Sequence, residues 1–384
     1  MKFIIMAILT LLNSYVILKI TNVFFAGKCS IQYIALIILI LVGCQSIVLL
    51  GESHLLLKIE RRLDLSWLLS ATYQFSYLLF GIISCLFFYI LFMDILNIGL
   101  RLSLANFNSD YFNKFSLSII MLTTIYTTTV GFIRARKGPV VQKVEISLKN
   151  LPVSFDKFKI VQISDLHVGS IIKQDYVTKV VQMVNSLEPN LIALTGDFVD
   201  GRVKNLKGDV SPLSQMKSTY GSFFVTGNHE YYSHAGEWVT EFTNLGIHNL
   251  SNEHVLIQNN QDMFVLAGVT DYSTIKNFAK NISSPKKALE GAPIELVKIL
   301  LAHQPASYIE AKKAGVDLQL SGHTHGGQYF PFTLLIRLFH RYYKGLNFHD
   351  GMWIYINRGT GYWGPPIRSE LPSEITLITL RSAN

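Results

Sequence analysis

Four long apolar runs in the first third of the chain constrain its fold more than any other feature. They lie at residues 3–16 (extending to 25), 31–50, 67–92 and 115–133. A helix crossing the hydrocarbon of a bilayer needs about 20 mostly apolar residues, and only helices or closed barrels satisfy every backbone polar group there. Polar breaks separate the runs, so the pattern predicts an all-α region of four membrane-spanning helices over residues 1–133. Charge agrees with this reading. Of 34 Lys and Arg and 26 Asp and Glu, only eight and five precede Arg134. The chain as a whole is 16% charged, against roughly 25% for a soluble globular protein, and the deficit sits in this region. Disorder and small disulfide scaffolds are excluded. A signal peptide is the alternative for the first run, which follows Lys2, but the run is long for that purpose and lacks a small-x-small cleavage site.

Loop charges set the expected orientation. Lys2, Lys58, Arg61, Arg62, Arg134, Arg136, Lys137, Lys143 and Lys149 fall on one side of a four-span arrangement, and Lys19, Lys28, Arg101 and Lys114 on the other. The excess predicts an integral membrane protein whose N-terminus and C-terminal domain are cytoplasmic. Cys29, Cys44 and Cys85 all lie in or beside the spans, so the remainder has no disulfide to report its compartment. The net charge of +8 is too mild and too spread to argue for nucleic acid.

After Arg-Ala-Arg-Lys-Gly-Pro at 134–139 the texture changes to short apolar runs between polar helical patterns, the mark of an α+β domain. Residues 134–158 read as a linker with an edge strand at 141–148, and 159–384 as a domain. Further strands are expected at 159–163, 191–194, 222–225, 263–268, 297–301, 317–320, 353–356 and 375–380. Polar clusters follow several of these strands: Ser-Asp-Leu-His at 164–167, Gly-Asp-Phe-Val-Asp at 196–200, Gly-Asn-His-Glu at 227–230, Ala-His-Gln-Pro at 302–305 and Gly-His-Thr-His at 322–325. The C-terminal ends of strands are where sites assemble in layered α/β sheets. Asp165 and His167 stand two apart, as do His323 and His325, so on an extended segment each pair points one way and can grip a cation. Carboxylate, imidazole and the Asn228 amide form a mixed donor set that suits Mn, Fe, Zn or Ni better than Ca. Two neighbouring ions need a shared anion, and Asp197 is placed for that purpose.

These five blocks, in this order over residues 159–325, resemble the calcineurin-like metallophosphoesterase superfamily, most closely its membrane-attached bacterial branch similar to UDP-2,3-diacylglucosamine pyrophosphatases. The resemblance implies a four-layer α/β/β/α sandwich and two divalent metal ions. Asp165, His167, Asp197 and His325 would bind the first ion, and Asp197, Asn228, His303 and His323 the second. His229 would be the catalytic group that protonates the leaving oxygen or stabilises charge on the phosphoryl group. The implied reaction is hydrolysis of a phosphodiester or pyrophosphate by hydroxide held between the ions, with a lipid-linked or nucleotide-lipid substrate and the bilayer as partners. Tyr-Ile-Asn-Arg-Gly-Thr-Gly-Tyr at 355–362 resembles the closing block, which brings Asn357 and Arg358 near the substrate. Asp200 disfavours the purple acid phosphatase branch, and Glu230 stands where many relatives have aspartate.

Single clusters mean little, since a lone His-x-His is usually incidental and a Gly-Asp after a strand is usually a turn; the weight lies in five together. Asp200 reads as a turn carboxylate or a group behind the ligands, and Arg358 as either a surface charge or a phosphate contact. The alternatives are a nuclease or soluble-nucleotide phosphodiesterase, disfavoured because no basic-aromatic groove is evident, and a metal-binding membrane sensor without turnover. The segment 330–344 combines a greasy face with Arg337, Arg341 and Lys344, and reads either as a helix packed on the domain or as one lying in the membrane interface.

Overall fold

The computed structural model describes residues 2–50, 66–272 and 282–383, and the chain divides into two compact units. Lys58, Arg61 and Arg62, which entered the orientation argument, lie outside the described residues.

Among the described residues the first unit holds the apolar helices α1 (Lys2–Phe25), α2 (Ile31–Leu50), α3 (Ser66–Ser103) and α4 (Ser109–Lys137), at the expected places. Over Ile4–Phe25, Ser70–Ser103 and Ser109–Lys137 they are long and apolar enough to cross a membrane, whereas the apolar stretch Ile31–Ile47 is shorter. α3 and α4 run past the expected 67–92 and 115–133 because no proline interrupts them. Polar pairs specify which helices meet. Asn13 of α1 donates to Gln45 of α2 at 2.7 Å, Tyr15 of α1 donates to Asp94 of α3 at 2.7 Å beside a Lys19–Asp94 ion pair, and Asn97 of α3 donates to Asn113 of α4 at 2.6 Å.

Two short segments from later in the chain, Tyr329–Pro331 and Gly364–Glu370, belong to this helical unit. The reason is steric. A Cβ at Gly81 would lie 2.5 Å from Ile367 Cδ1 and one at Gly131 would lie 2.6 Å from Ile367 Cγ2, so the two glycines make the seat of a side chain that is 1% exposed. Phe330 stacks on Tyr89 with ring centroids 4.4 Å apart.

The second unit is built of strands β1 (Val140–Lys149), β2 (Lys159–Ile163), β3 (Leu191–Leu194), β4 (Ser222–Phe224), β5 (His248–Asn249), β6 (Glu253–Asn259), β7 (Asp262–Gly268), β8 (Lys298–Leu301), β9 (Leu318–Ser321), β10 (Gly345–His349), β11 (Met352–Ile356) and β12 (Glu374–Ala383). One sheet has the order β1-β12-β2-β3-β4-β5, the other β10-β11-β9-β8-β7-β6. Their facing sides bury a core that includes Ile146, Ile160, Leu191, Phe223, Phe264, Leu266, Ile299, Leu318 and Ile378. Helix Gln174–Ser186 buries Val177, Val180, Val181 and Val184, the one-face spacing of an amphipathic helix laid on a sheet. On the other sheet Ala288 and Ala311, from helices Pro285–Ala288 and Tyr308–Lys313, close over Ala267, Leu300 and Ile354. This is the α/β/β/α sandwich that the resemblance implies. β2, β3 and β4 run parallel, as do β7, β8, β9 and β11, so within each set the carboxyl ends lie on one side.

Candidate metal centre

Each cluster begins within a few residues of a strand end: Asp165 after β2, Asp197 after β3, Asn228 after β4, His303 after β8, His323 after β9. The strands supply rigid posts and the loops turn sharply at the donors. Asp165, His167, Asp197, His323 and His325 all have φ between 51° and 72°, the left-handed region that costs a non-glycine residue about 1–3 kcal/mol and clusters at functional sites. The expectation that Asp165 and His167 share a side because they are extended is therefore corrected. Two left-handed residues, not a flat strand, bring them to one place. The neighbouring glycines permit the approach: a Cβ at Gly227 would meet Asp197 Oδ1 at 2.2 Å, and one at Gly322 would meet Asp165 Oδ2 at 2.2 Å.

Three donor groups form among the described residues, one of them His167–Asp200–His229, and the other two are made of the expected ligands alone. In the first of these two, His167 Nε2 lies 3.1 Å from His325 Nε2, and His325 Nε2 lies 3.5 Å from Asp165 Oδ1. In the second, His303 Nε2 lies 3.1 Å from Asp197 Oδ2 and 3.2 Å from His323 Nδ1. Backbone and side-chain bonds aim these atoms. His303 Nδ1 donates to the Thr195 carbonyl at 2.7 Å, and His167 Nδ1 to Asp200 at 3.0 Å, which turns each Nε2 toward the group. The His323 amide donates to both Asp165 oxygens at 3.0 Å and the His229 amide to Asp197 Oδ1 at 2.8 Å.

These residues fit divalent ions. Imidazole nitrogens about 3 Å apart repel unless a proton or a cation lies between them. Asn228 Oδ1 is buried and has no hydrogen-bond partner among the described residues, a costly state for an amide oxygen unless it ligates a cation. Burial, and then the charge of His303, push His323 down to about 3, so its ring is neutral at ordinary pH. Burial pushes the Asp197 carboxyl up, but the charge and hydrogen bond of His303, with the charges of His229 and His167, together hold the group well below the carboxylate range.

Two residues do more than the sequence reading assigned them. Asp200 Oδ1 accepts from His229 Nδ1 at 2.6 Å as well as from His167, so one oxygen orients both rings. Burial lowers the His229 pKa, yet the bond to Asp200 and the charges of Asp197 and Asp200 win and hold it up at about 9. Glu230, fully buried, accepts from the backbone N–H groups of Asp197 at 2.9 Å, Phe198 at 2.7 Å and Gly227 at 2.7 Å. It ties the loop after β3 to the loop after β4. Burial, and then the Asp197 charge, push its carboxyl up to about 8.

Asn357 and Arg358 also fall at a strand end, after β11. Asn357 is fully buried, donating to Thr376 Oγ1 at 2.9 Å and accepting from the Gly359 amide at 2.7 Å, so its amide is engaged within the fold. Arg358 pairs with buried Glu374, and its aliphatic stem lies against Gly326, next to His325.

Comparison with known proteins agrees with this geometry. The calcineurin-like phosphoesterase family model matches residues 158–327. An uncharacterised metallophosphoesterase of Aquifex aeolicus is 32% identical over 63% of this chain and 91% of its own length. The chain belongs to the calcineurin-like metallophosphoesterases. Among its relatives in that family, an uncharacterised metallophosphoesterase of Campylobacter jejuni is 29% identical over 99% of this chain and 98% of its own length. A transmembrane protein with metallophosphoesterase domain from Danio rerio is 36% identical over 69% of this chain, and the chain spans only 62% of that relative's length.

Proposed function

We propose that the protein is a membrane-anchored phosphoesterase that hydrolyses a phosphodiester or pyrophosphate bond in a lipid-linked substrate with two divalent ions of the Mn, Fe, Zn or Ni type. The observation that carries the reading is the pair of donor groups, Asp165–His167–His325 and Asp197–His303–His323, with the unsatisfied Asn228 Oδ1 as a further donor. When bound, two such ions supply positive charge for phosphoryl oxygens and acidify water at neutral pH. The chain's own residues do the rest. Asp197, which could face both ions, offsets their mutual repulsion. Asp200 fixes the His229 ring through Nδ1 and keeps it protonated, which leaves Nε2–H to be given to the leaving oxygen. His167 is held by the same carboxylate with its Nε2 turned inward.

The lipid-linked substrate is supported by the apolar helices on the same chain and by an exposed apolar helix, Phe332–Phe339, soon after His325. A cytoplasmic catalytic domain and four spans remain part of this proposal. The test is turnover by the detergent-solubilised full chain with Mn²⁺ on bis-p-nitrophenyl phosphate, UDP-diacylglucosamine, phospholipids and single-stranded DNA. Cleavage of a lipid-linked diester or pyrophosphate is expected. Cleavage of DNA alone would remove the lipid-linked reading, and two tightly bound ions with no turnover would favour a sensor.

A further inference from the structure

The helix Phe332–Phe339 begins one residue after Pro331, which belongs to the helical unit, and its far end reaches the donor groups, where the His340 ring stands edge-on to His323 at 5.6 Å. Its only buried residue is Thr333. Leu334, Leu338 and Phe339 are 53%, 77% and 79% exposed, the reverse of how a helix on a water-surrounded domain disposes of its apolar stripe. The charge is one-sided too. Residues 329–349 contain Arg337, Arg341 and Lys344 and no Asp or Glu. These cations lie over aromatic rings, Arg337 and Lys344 over Tyr343 at 5.6 and 5.5 Å and Arg341 over Tyr342 at 5.5 Å. Long cationic side chains beside tyrosine rings are the composition of the headgroup layer, where apolar stems and charged tips find different solvents.

We infer that this helix lies in the headgroup layer of the bilayer, with Leu334, Leu338 and Phe339 among the acyl chains and Arg337, Arg341 and Lys344 on anionic lipid phosphates. The occupant is lipid and not a second copy of the chain, because a two-fold contact would set Arg337, Arg341 and Lys344 against the same three cations with no Asp or Glu in residues 329–349 to offset them. A helix bound in this way would hold the His323 side of the metal centre at the depth of lipid phosphates. The inference goes beyond the proposed reaction, and its test uses neither turnover nor metal, so either can fail alone.

The full chain, with Cys29, Cys44 and Cys85 replaced by Ala, is given a single cysteine by Leu338→Cys, labelled with the environment-sensitive fluorophore NBD and reconstituted in vesicles of four parts phosphatidylcholine to one part phosphatidylglycerol. Phe339→Cys serves as a second site, and Asn260→Cys, at the exposed turn between β6 and β7, as the water-facing reference. The expected result is blue-shifted emission at positions 338 and 339, quenched by nitroxide on the lipid acyl chain and protected from iodide, with the opposite at 260. Iodide quenching at 338 and 339 equal to that at 260 would overturn the inference by putting the helix in water. Protection from both quenchers would overturn it by showing that protein covers the face.

Discussion

Replacing Glu230 by alanine tests whether a residue that binds no ion holds the metal centre together. The substitution removes the acceptor for three backbone N–H groups, those of Asp197, Phe198 and Gly227. A buried donor left unsatisfied costs about 1–3 kcal/mol, so three would cost about 3–9 kcal/mol if nothing moved. Water entering the vacated volume recovers part of this, which leaves an expected loss of about 4 kcal/mol. For a domain of this size that is a fall of about 10 °C in melting temperature. Glu230→Gln keeps one acceptor oxygen and should lose about half as much. Intrinsic fluorescence melts of the detergent-solubilised chain measure the first effect. Metal analysis measures the second, because Asp197 sits between two of the freed amides and should lose its place. If Glu230→Ala melts with the wild type and keeps its metal content, the carboxylate is not what joins the two loops.

Further outcomes can be measured on the same preparation. Asp197→Asn should abolish turnover and lower metal content, since its donor group loses its carboxylate and, in the proposed reading, both ions lose a shared charge; a fully active variant with two tight ions would refute that role. His229→Ala should keep its metal content and lose roughly 10²–10⁴-fold in turnover, whereas loss of metal would make His229 a ligand. The His229 pKa is raised, so its proton is present below about 9 and lost as pH rises through that value. In a pH profile, kcat/KM should therefore fall on the alkaline side near 9, and Asp200→Asn should move this limb to lower pH. Gly81→Ala places a methyl 2.5 Å from Ile367 Cδ1 and should destabilise the helical unit by about 1–3 kcal/mol; adding Ile367→Val, which deletes that atom, should restore most of the melting temperature.

The central strands were legible because they are apolar on both faces and end in polar clusters. β5, β6 and β10 were not, since each is a sheet edge with exposed positions, and the longest apolar run among them is three residues, Val255–Ile257 in β6. The donor residues could be gathered from the order of their clusters, but their geometry could not. Asp165 and His167 were expected to converge as neighbours on a flat strand and do so through left-handed turns, a conformation that aspartate and histidine adopt more readily than most residues but too seldom for their presence to announce it. Glu230 looked like a conservative replacement because its partners are amides on two loops, and backbone donors leave no mark in a sequence. The segments Tyr329–Pro331 and Gly364–Glu370 were also missed. Their only trace was a glycine at 81 and another at 131, each within an apolar run, a sign of close packing that does not say against what.

The left-handed conformation of Asp165, His167, Asp197, His323 and His325 carries an evolutionary consequence. While the chemistry is under selection, its benefit offsets five conformational costs. Once a lineage abandons the reaction, the costs persist without a return, and glycine or asparagine relieves them without disturbing the loops, whereas alanine and branched residues do not. Decay at these positions should therefore be biased in kind. A descendant with Gly at 167 or Asn at 325 would carry the scar of a discarded site, and its drift would be distinguishable from that of a chain whose loops had simply been rebuilt.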